Sequence, residues 1–317
     1  MKRLLTFCAA LAMTGAAYPQ AYPAKPLHVV VPNPAGGTVD IVARAVQPGV
    51  SERLGQPVVV ELKPGGNNII GSEFVARAAP DGHTMLMGGT HVTINPLVRK
   101  LPYDGLKAFA PVALLASTPN IIAVHSSIPA RTIQELVALA KARPNRLNFA
   151  TSPSGNGIYL AGERFKALAG IEMNSVPYQG GVQAALAVAG GHADVLVAPL
   201  SDTVPHLASG RLRVLAVTSA ERIEMIKDVP TLSETVAPGF RATQWFGVFV
   251  PAGTPAGVID RLGEALLAAA EKPEVRASLA KLGVSVTPLG AAAFAEFLQK
   301  ETAMFTAAVR DSGIRAE

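Results

Sequence analysis

The chain has 317 residues, of which 49% are hydrophobic and 16% are charged. This composition excludes a disordered, collagen-like or coiled-coil chain, and the length is sufficient for two domains. The net charge of +5 comes from basic residues scattered along the chain, and only 5% of residues are aromatic, so a nucleic-acid-binding surface is not favoured. We therefore predict a globular protein that binds no nucleic acid.

The first residues have the pattern of a secretory signal peptide. Lys2 and Arg3 precede an uncharged apolar run over residues 4–17, which is too short to span a bilayer comfortably. Cleavage after Ala17 fits the small residues Gly15 and Ala17, whereas cleavage after Ala21 is less favoured because it puts Pro19 at the −3 position; we take residues 1–21 as the signal-peptide segment. The alternative is a buried N-terminal helix. The single cysteine lies inside the apolar run, so we expect an exported, periplasmic protein without disulfides.

The rest of the chain alternates between short β-branched runs and helical patterns. The predicted strands are 27–31, 58–62, 84–87, 120–124, 147–150, 174–176, 194–197, 214–218 and 245–250. The predicted helices are 37–54, 68–79, 132–142, 158–169, 181–189, 203–209, 256–270, 273–282 and 291–309. Pro48 should kink the first helix or mark a restart. This alternation predicts an α/β fold whose sheets are largely parallel and covered by helices on both faces.

Two extended segments, 120–124 and 246–250, are each followed by a turn and could cross between domains. In that case one domain lies between them and the flanking segments combine into the other. The predicted division is residues 22–124 with 246–317 for domain 1, and residues 125–245 for domain 2.

Local sequence motifs for catalysis or metal binding are absent. The sequence contains no phosphate-binding loop, dinucleotide-binding glycine motif or nucleophile elbow, and its six histidines never occur at i, i+2 or i, i+4. His91 with Asp40 is the only acid/base pair that an enzyme on this scaffold could be assigned. We therefore expect no catalytic residue, no metal and no cofactor.

Four loops rich in small and polar residues follow predicted strands and precede predicted helices. They span residues 32–40, 88–96, 150–157 and 177–181. Ligands of open α/β sheets bind outside the carboxyl ends of the strands, where N–H groups at helix starts attract anions. None of the loops contains Lys or Arg, which favours a small carboxylate over a polyphosphate.

Each loop also has a purely structural interpretation. The glycine pairs can be simple turns, and Asp40 can stabilise a first helical turn instead of contacting a cationic group of a ligand. Tyr178 can be core packing, and His91 can be an ordinary surface histidine.

From Tyr22 onward the sequence resembles the Bug (TctC-like) family of extracytoplasmic solute receptors, which serve tripartite tricarboxylate transporters. The motifs that carry the resemblance include VPNPAGGTVDIVAR, KPGGNNIIG, AAPDGHT, NFATSPSGNG, VPYQGG, LRVLAVTS and WFGVFVPAGTP. The resemblance implies an α/β, periplasmic-binding-protein type II-like fold with two domains, a cleft between them and two crossing strands as a hinge. It also implies no catalysis, a small carboxylate solute, membrane permease subunits as partners and a monomer. A receptor for a membrane sensor, or a regulatory effector domain, is the alternative.

By position in these motifs, the implied ligand-binding residues come from all four loops. They are Asn33, Ala35, Gly36, Gly37, Thr38, Asp40, Thr90, His91, Thr93, Thr151, Ser152, Ser154, Gly155, Asn156, Gly157, Tyr178 and Gln179. The chain departs from the usual family pattern at several of them. Asn33 stands where an aromatic residue is common, Ala35 where Pro is common, and His91 replaces a small residue. Ser152-Pro153-Ser154 is an altered version of a Ser-Ser-Gly loop, and Ala198-Pro199 replaces an Asp-Asn type pair. Because of these changes the resemblance does not identify the solute.

Overall fold

A computed structural model describes residues 22–153 and 156–311. The predicted signal peptide, residues 1–21, lies outside these residues, as do Ser154 and Gly155. No helix in the described ranges is both long and apolar enough to cross a membrane.

Ten strands and ten α-helices are described. The strands are β1 Leu27–Val31, β2 Val58–Leu62, β3 Thr84–Gly89, β4 Phe109–His125, β5 Asn148–Thr151, β6 Asn174–Pro177, β7 Val195–Pro199, β8 Leu212–Val217, β9 Thr243–Pro251 and β10 Ser285–Gly290. The helices are α1 Thr38–Leu54, α2 Ile69–Ala76, α3 His91–Val98, α4 Ile133–Ala142, α5 Gly157–Ala169, α6 Gly181–Ala189, α7 Leu200–Leu207, α8 Ala256–Glu271, α9 Pro273–Ala280 and α10 Ala291–Asp311.

The strands form two halves that share β4. In the first half β1 pairs in parallel with β2 and β3, and β9 pairs antiparallel with both β3 and β4. In the second half β5 pairs in parallel with β6 and β7, while β7 and β8 pair antiparallel with the end of β4. Strand β4 pairs with β9 as far as Pro119 and with β7 from Asn120 onward. It therefore passes from one half of the sheet into the other.

Each half has its own apolar core, because buried strands present hydrophobic residues to helices on both faces. In the first half α1 contributes Val42, Val46 and Val50, which pack in one cluster with Leu262 and Leu266 of α8. A second cluster, centred on Trp245 and Phe249, lies on the other side of that half under α10. The second half has two corresponding clusters, one around Phe149 and Phe165 and one around the alanines of α6. This is the predicted α/β arrangement of two domains, but the prediction of largely parallel sheets is wrong. Among the described strand pairs four are parallel and five are antiparallel, because β4 and β9 run opposite to the strands beside them.

Several elements differ from the sequence-based expectation. The predicted strand 120–124 is only the final part of β4, and residues 88–96, expected as a loop, contain the end of β3 and most of α3. Strand β10 was not predicted, and α7 begins three residues before the predicted position. Helix α1 runs through Pro48 without a restart. The exact domain boundaries stay a prediction, since pairing places the crossing point of β4 at residues 119–120 but does not define a boundary.

Candidate functional site

A cavity of about 220 Å³ lies between the two halves, at the ends of strands from both. Five helices begin at it. The lining includes Thr38 of α1, His91 of α3, Ile158 of α5, Gly181 of α6 and Asp202 of α7. The first N–H groups of a helix have no partner within the helix and carry partial positive charge, so helix starts suit an anion. Two of these groups are already bonded, the N–H of Thr38 to Oδ1 of Asp202 and the N–H of Ile158 to Oδ1 of Asn156.

A second cavity of about 220 Å³ adjoins the first. Both are lined by Asn33, Asn68, Asn156 and Gln179, so together they form one cleft that extends toward the loop between β2 and α2.

Glycines let the chain turn sharply from strand to helix at the cleft. Gly36, between β1 and α1, has φ +77°, and Gly180, between β6 and α6, has φ +110°. Both values favour glycine, and they bring the backbone of each turn to the cavity wall without an intervening side chain.

Polar contacts cross the cleft at the start of α1. The backbone N–H and the hydroxyl of Thr38 donate to Oδ1 of Asp202, at 3.2 and 2.6 Å. The hydroxyls of Thr38 and Ser201 are 2.5 Å apart. Thr38 opens α1 in the first half, while Ser201 and Asp202 lie in α7 of the second half, so these bonds link the two halves directly.

A second close approach involves the start of α5. A Cβ built on Gly157 would lie 2.6 Å from Oγ1 of Thr90 and 2.9 Å from Nε2 of Gln244. The hydroxyl of Thr90 donates to Oε1 of Gln244 at 2.8 Å. Only a glycine lets the backbone of α5 come this near to the first half.

The electrostatics of the cleft are set by burial. Among the described residues that line the first cavity there is no Lys or Arg, and Asp202 is the one acidic residue. Burial raises the pKa of Asp202 to about 6, partly offset by the bonds from Thr38. Burial also lowers the pKa of His91 to about 3, so its imidazole is neutral at pH 7. The described lining therefore carries a single formal negative charge at pH 7, that of Asp202, and no formal positive charge.

Some buried polar atoms at the cleft have no hydrogen-bond partner within the described protein. Two of them, Oδ1 of Asn33 and Nε2 of His91, belong to residues that line the cavity. Two others are the hydroxyls of Thr151 and Ser152, at the end of β5. Buried polar groups are normally satisfied, so the two atoms that belong to lining residues, Oδ1 of Asn33 and Nε2 of His91, are the ones that a molecule in the cavity could satisfy.

The structure brings about half of the sequence-predicted site residues to the cavity wall. Those that line it are Asn33, Ala35, Gly37, Thr38, Thr90, His91, Asn156 and Gln179. Those that lie behind or beside the wall are Gly36, Asp40, Thr93, Thr151, Ser152, Gly157 and Tyr178. Ser154 and Gly155 fall outside the described residues. A ligand-binding role for each of these residues stays a prediction.

The structural interpretations of Asp40 and Tyr178 agree with their contacts. Oδ2 of Asp40 accepts from the N–H of Gly36 at 3.0 Å, and Oδ1 accepts from Nε of Arg44 at 2.7 Å. Tyr178 is partly buried and packs against the cluster around α6. The surface interpretation of His91 is wrong, because only 3% of this residue is exposed. In the described contacts no hydrogen bond joins His91 to Asp40, so they do not form an acid/base pair.

Sequence reasoning missed several residues of the lining. These include Asn68, Gln183, Asp202, Gln244 and Phe246, while Gly181 lies in a predicted loop but was not among the predicted ligand-binding residues. Asp202 follows β7 as the four predicted loops follow their strands, so the same strand-end rule could have found it. Gln244 lies at the beginning of a strand, and no local signal marks it.

Among the residues that the structure describes, no three His, Cys, Asp or Glu side chains are grouped so that they could hold a metal ion.

The sequence profile of the tripartite tricarboxylate transporter family receptor, TctC, matches residues 42–314. The chain belongs to this family.

Solved structures of similar proteins agree with this assignment. The periplasmic binding protein BugD is 29% identical, with a TM-score of 0.88 over 93% of this chain and 100% of BugD. A Rhodopseudomonas palustris protein determined with adipate is 28% identical, with a TM-score of 0.88 over 93% of this chain and 99% of that one. MatC from the same organism, determined with bound malate, is 30% identical, with a TM-score of 0.83 over 91% of this chain and 100% of MatC. The fold is therefore the two-domain fold of the periplasmic Bug and TctC receptors.

Proposed function

We propose that this chain is a periplasmic receptor that captures a small carboxylate-bearing solute in the cleft and delivers it to a membrane transporter. The observation that carries the proposal is the cavity between the two halves. Five helices begin around it, and its described lining contains no Lys or Arg. Such a wall holds a carboxylate through N–H dipoles, hydroxyls and amides. Two similar proteins were determined with adipate and with malate, which are both small carboxylates.

Solute capture proceeds by hinge closure. A solute that contacts helix starts in both halves stabilises the closed arrangement, because a ligand shifts an equilibrium only through its different affinity for the two states. β4 passes between the halves, and β9 lies beside it at the crossing, so these strands form the hinge. The closed form is then recognised by the permease subunits of a tripartite tricarboxylate transporter.

The site of action follows from the N-terminal pattern and the family. We propose that residues 1–21 direct export and are removed, and that the mature receptor acts in the periplasm as a monomer. Mass spectrometry of the exported protein would identify the cleavage site, and a mass that includes residues 1–21 would contradict this part of the proposal.

The function is tested by titrating the protein with small mono-, di- and tricarboxylates. Trp245 is the single tryptophan of the chain, is 1% exposed, and lies between Gln244 and Phe246, which line the cavity. Its fluorescence should therefore change as the cleft closes on a solute, and calorimetry supplies the affinity.

A matched pair of variants assigns the binding to the cleft. Thr90→Val removes a hydroxyl of the cavity wall and its bond to Oε1 of Gln244, another lining residue, and should weaken binding by about 10-fold, because leaving a buried acceptor without its donor costs about 1–3 kcal/mol. Thr254→Val is the control, since its buried hydroxyl donates to the carbonyl of Pro251 at 2.8 Å away from the cavity. No response to any carboxylate, or an equal loss in both variants, would refute the proposal.

A further inference from the structure

The carboxylate of Asp202 occupies the part of the cleft where α1 and α6 begin. Its Oδ1 accepts two bonds from Thr38 of α1, and a Cβ on Gly181, the first residue of α6, would lie 2.3 Å from its Oδ2. The side chain therefore lies between two helix starts that belong to opposite halves. Helix starts of this kind would otherwise be the strongest positions in the cleft for an anion from solution.

The remaining wall offers no positive charge that could balance a further anion beside Asp202. No Lys or Arg lies among the described lining residues, and the one histidine there is buried and neutral at pH 7. A second carboxylate placed at the start of α1 would face Asp202, which is only 8% exposed, and like charges at a buried position repel strongly.

Room for one solute carboxylate remains at the other side of the cavity. Helices α3 and α5 begin there, and the lining includes Thr90, His91 and Asn156. An ionised carboxylate accepts about four hydrogen bonds, and Oδ1 of Asp202 already accepts two. Asp202 can therefore accept further bonds from N–H or O–H groups at the opposite end of the solute.

We infer that Asp202 is a specificity-determining residue, which makes the cleft selective for solutes with a single carboxylate and hydrogen-bond donors at the opposite end. This inference rests on the proposed function, because it concerns the chemical class of the same solute. The cleft would therefore prefer a carboxylic acid whose other end carries an amide, hydroxyl or amino group over a dicarboxylate of the same length.

The test compares pairs of solutes that have the same shape and differ in one charge. The pairs are succinate with succinamate, glutarate with glutaramate, and adipate with adipamate, titrated into the exported protein at pH 7.5 with Trp245 fluorescence and calorimetry as readouts. For the chain length that fits, the wild type should bind the monoamide at least about 10-fold more tightly than the diacid.

Variants of Asp202 should change this preference. Asp202→Asn keeps the shape and removes the charge, so the diacid should gain at least about 10-fold in affinity relative to its monoamide. Asp202→Ser provides a second, smaller substitution in case the amide disturbs folding. Asp260→Asn removes one charge from an exposed position on α8 and controls for net charge.

The possible failures are distinguishable. Equal affinity of the wild type for both members of every pair, or a ratio that Asp202→Asn and Asp202→Ser leave unchanged, would overturn the inference while carboxylate binding itself remains. If the folded wild type and the folded variants bind none of these acids, the proposed function fails, and the inference fails with it.

Discussion

His91 shows how a buried titratable side chain can add hydrogen-bonding groups to the cleft without adding a charge. The ring is 3% exposed, and burial lowers its pKa to about 3. A neutral imidazole offers one donor and one acceptor, and Nε2 has no partner within the described protein. At neutral pH the ring therefore adds hydrogen-bonding capacity to the cleft and does not balance the charge of Asp202.

Replacing this histidine should change how stability depends on pH. The unfolded chain protonates His91 below its ordinary pKa of 6.5, whereas the folded protein does not until about pH 3, so protonation favours unfolding between these values. His91→Gln removes this effect. Relative to the wild type, the variant should gain about 3 kcal/mol in its free energy of unfolding between pH 7 and pH 4.5.

Denaturant unfolding at several pH values measures this difference. Asp202 has the opposite effect, because its raised pKa makes the folded state bind a proton first as the pH falls below about 6. It is present in both proteins, so it cancels in the comparison. His192→Gln, at an exposed position, is the control. A difference between wild type and His91→Gln that stays constant with pH would show that His91 is not kept neutral by burial.

At the scale of elements, the start of α5 comes close to the first half because its first residue, Gly157, has no side chain. Gly157→Ala places a methyl group against Oγ1 of Thr90 and Nε2 of Gln244, at distances that side chains do not tolerate. The overlap exists only while the halves are together, so the closed arrangement should be penalised and each core left intact. We expect solute affinity to fall about 10-fold or more, with a small change in Tm.

Gly257→Ala is the matched control, because a Cβ at that position of α8 would meet no atom within 4 Å. Thermal unfolding and solute titration of both variants check the prediction. If Gly157→Ala binds solute as tightly as Gly257→Ala, the approach of α5 is not required for binding.

The elements that sequence reasoning missed have a common physical feature. β4 contains Pro111 and Pro119, β10 contains Pro288, and α3 contains Pro96, all at positions where proline argues against the element. The fold tolerates Pro111 and Pro288 because the strand register shifts beside Pro111 in β4 and around Pro288 in β10. Elements without an internal proline, such as β1, β2 and α6, have the predicted bounds because their hydrophobic patterns are uninterrupted.

The part of the candidate site that consists of loops following strands could be predicted from the sequence. Local sequence identified the turns around Gly36 and Gly180, since the residue types there suit a strand-to-helix turn. It did not identify Asp202 or Gln244 as neighbours of Thr38 and Thr90. Both contacts join positions more than 150 residues apart; the contact of Thr38 with Asp202 arises from the packing of the two halves, and that of Thr90 with Gln244 from the packing of distant segments within the first half.

At the scale of the whole molecule, the two halves meet through an apolar cluster as well as through the bonds of Thr38. Leu160 of α5 packs with Ile94 and Val98 of α3 and with Phe305 of α10. Leu160 is therefore buried by elements of the opposite half and not by its own core. Separation of the halves would expose it to water, so its burial favours closure.

Leu160→Ala should consequently shift the receptor toward the open form. We expect the radius of gyration in solution to exceed the value of about 19 Å for a compact chain of about 300 residues, and saturating solute to restore it. Affinity should fall in proportion to the closed fraction. Leu136→Ala, within the core of the second half, should lower the free energy of unfolding by about 2–5 kcal/mol and leave the radius unchanged. Small-angle scattering with and without solute separates the two, and equal radii for Leu160→Ala and wild type would contradict a hinge that this cluster stabilises.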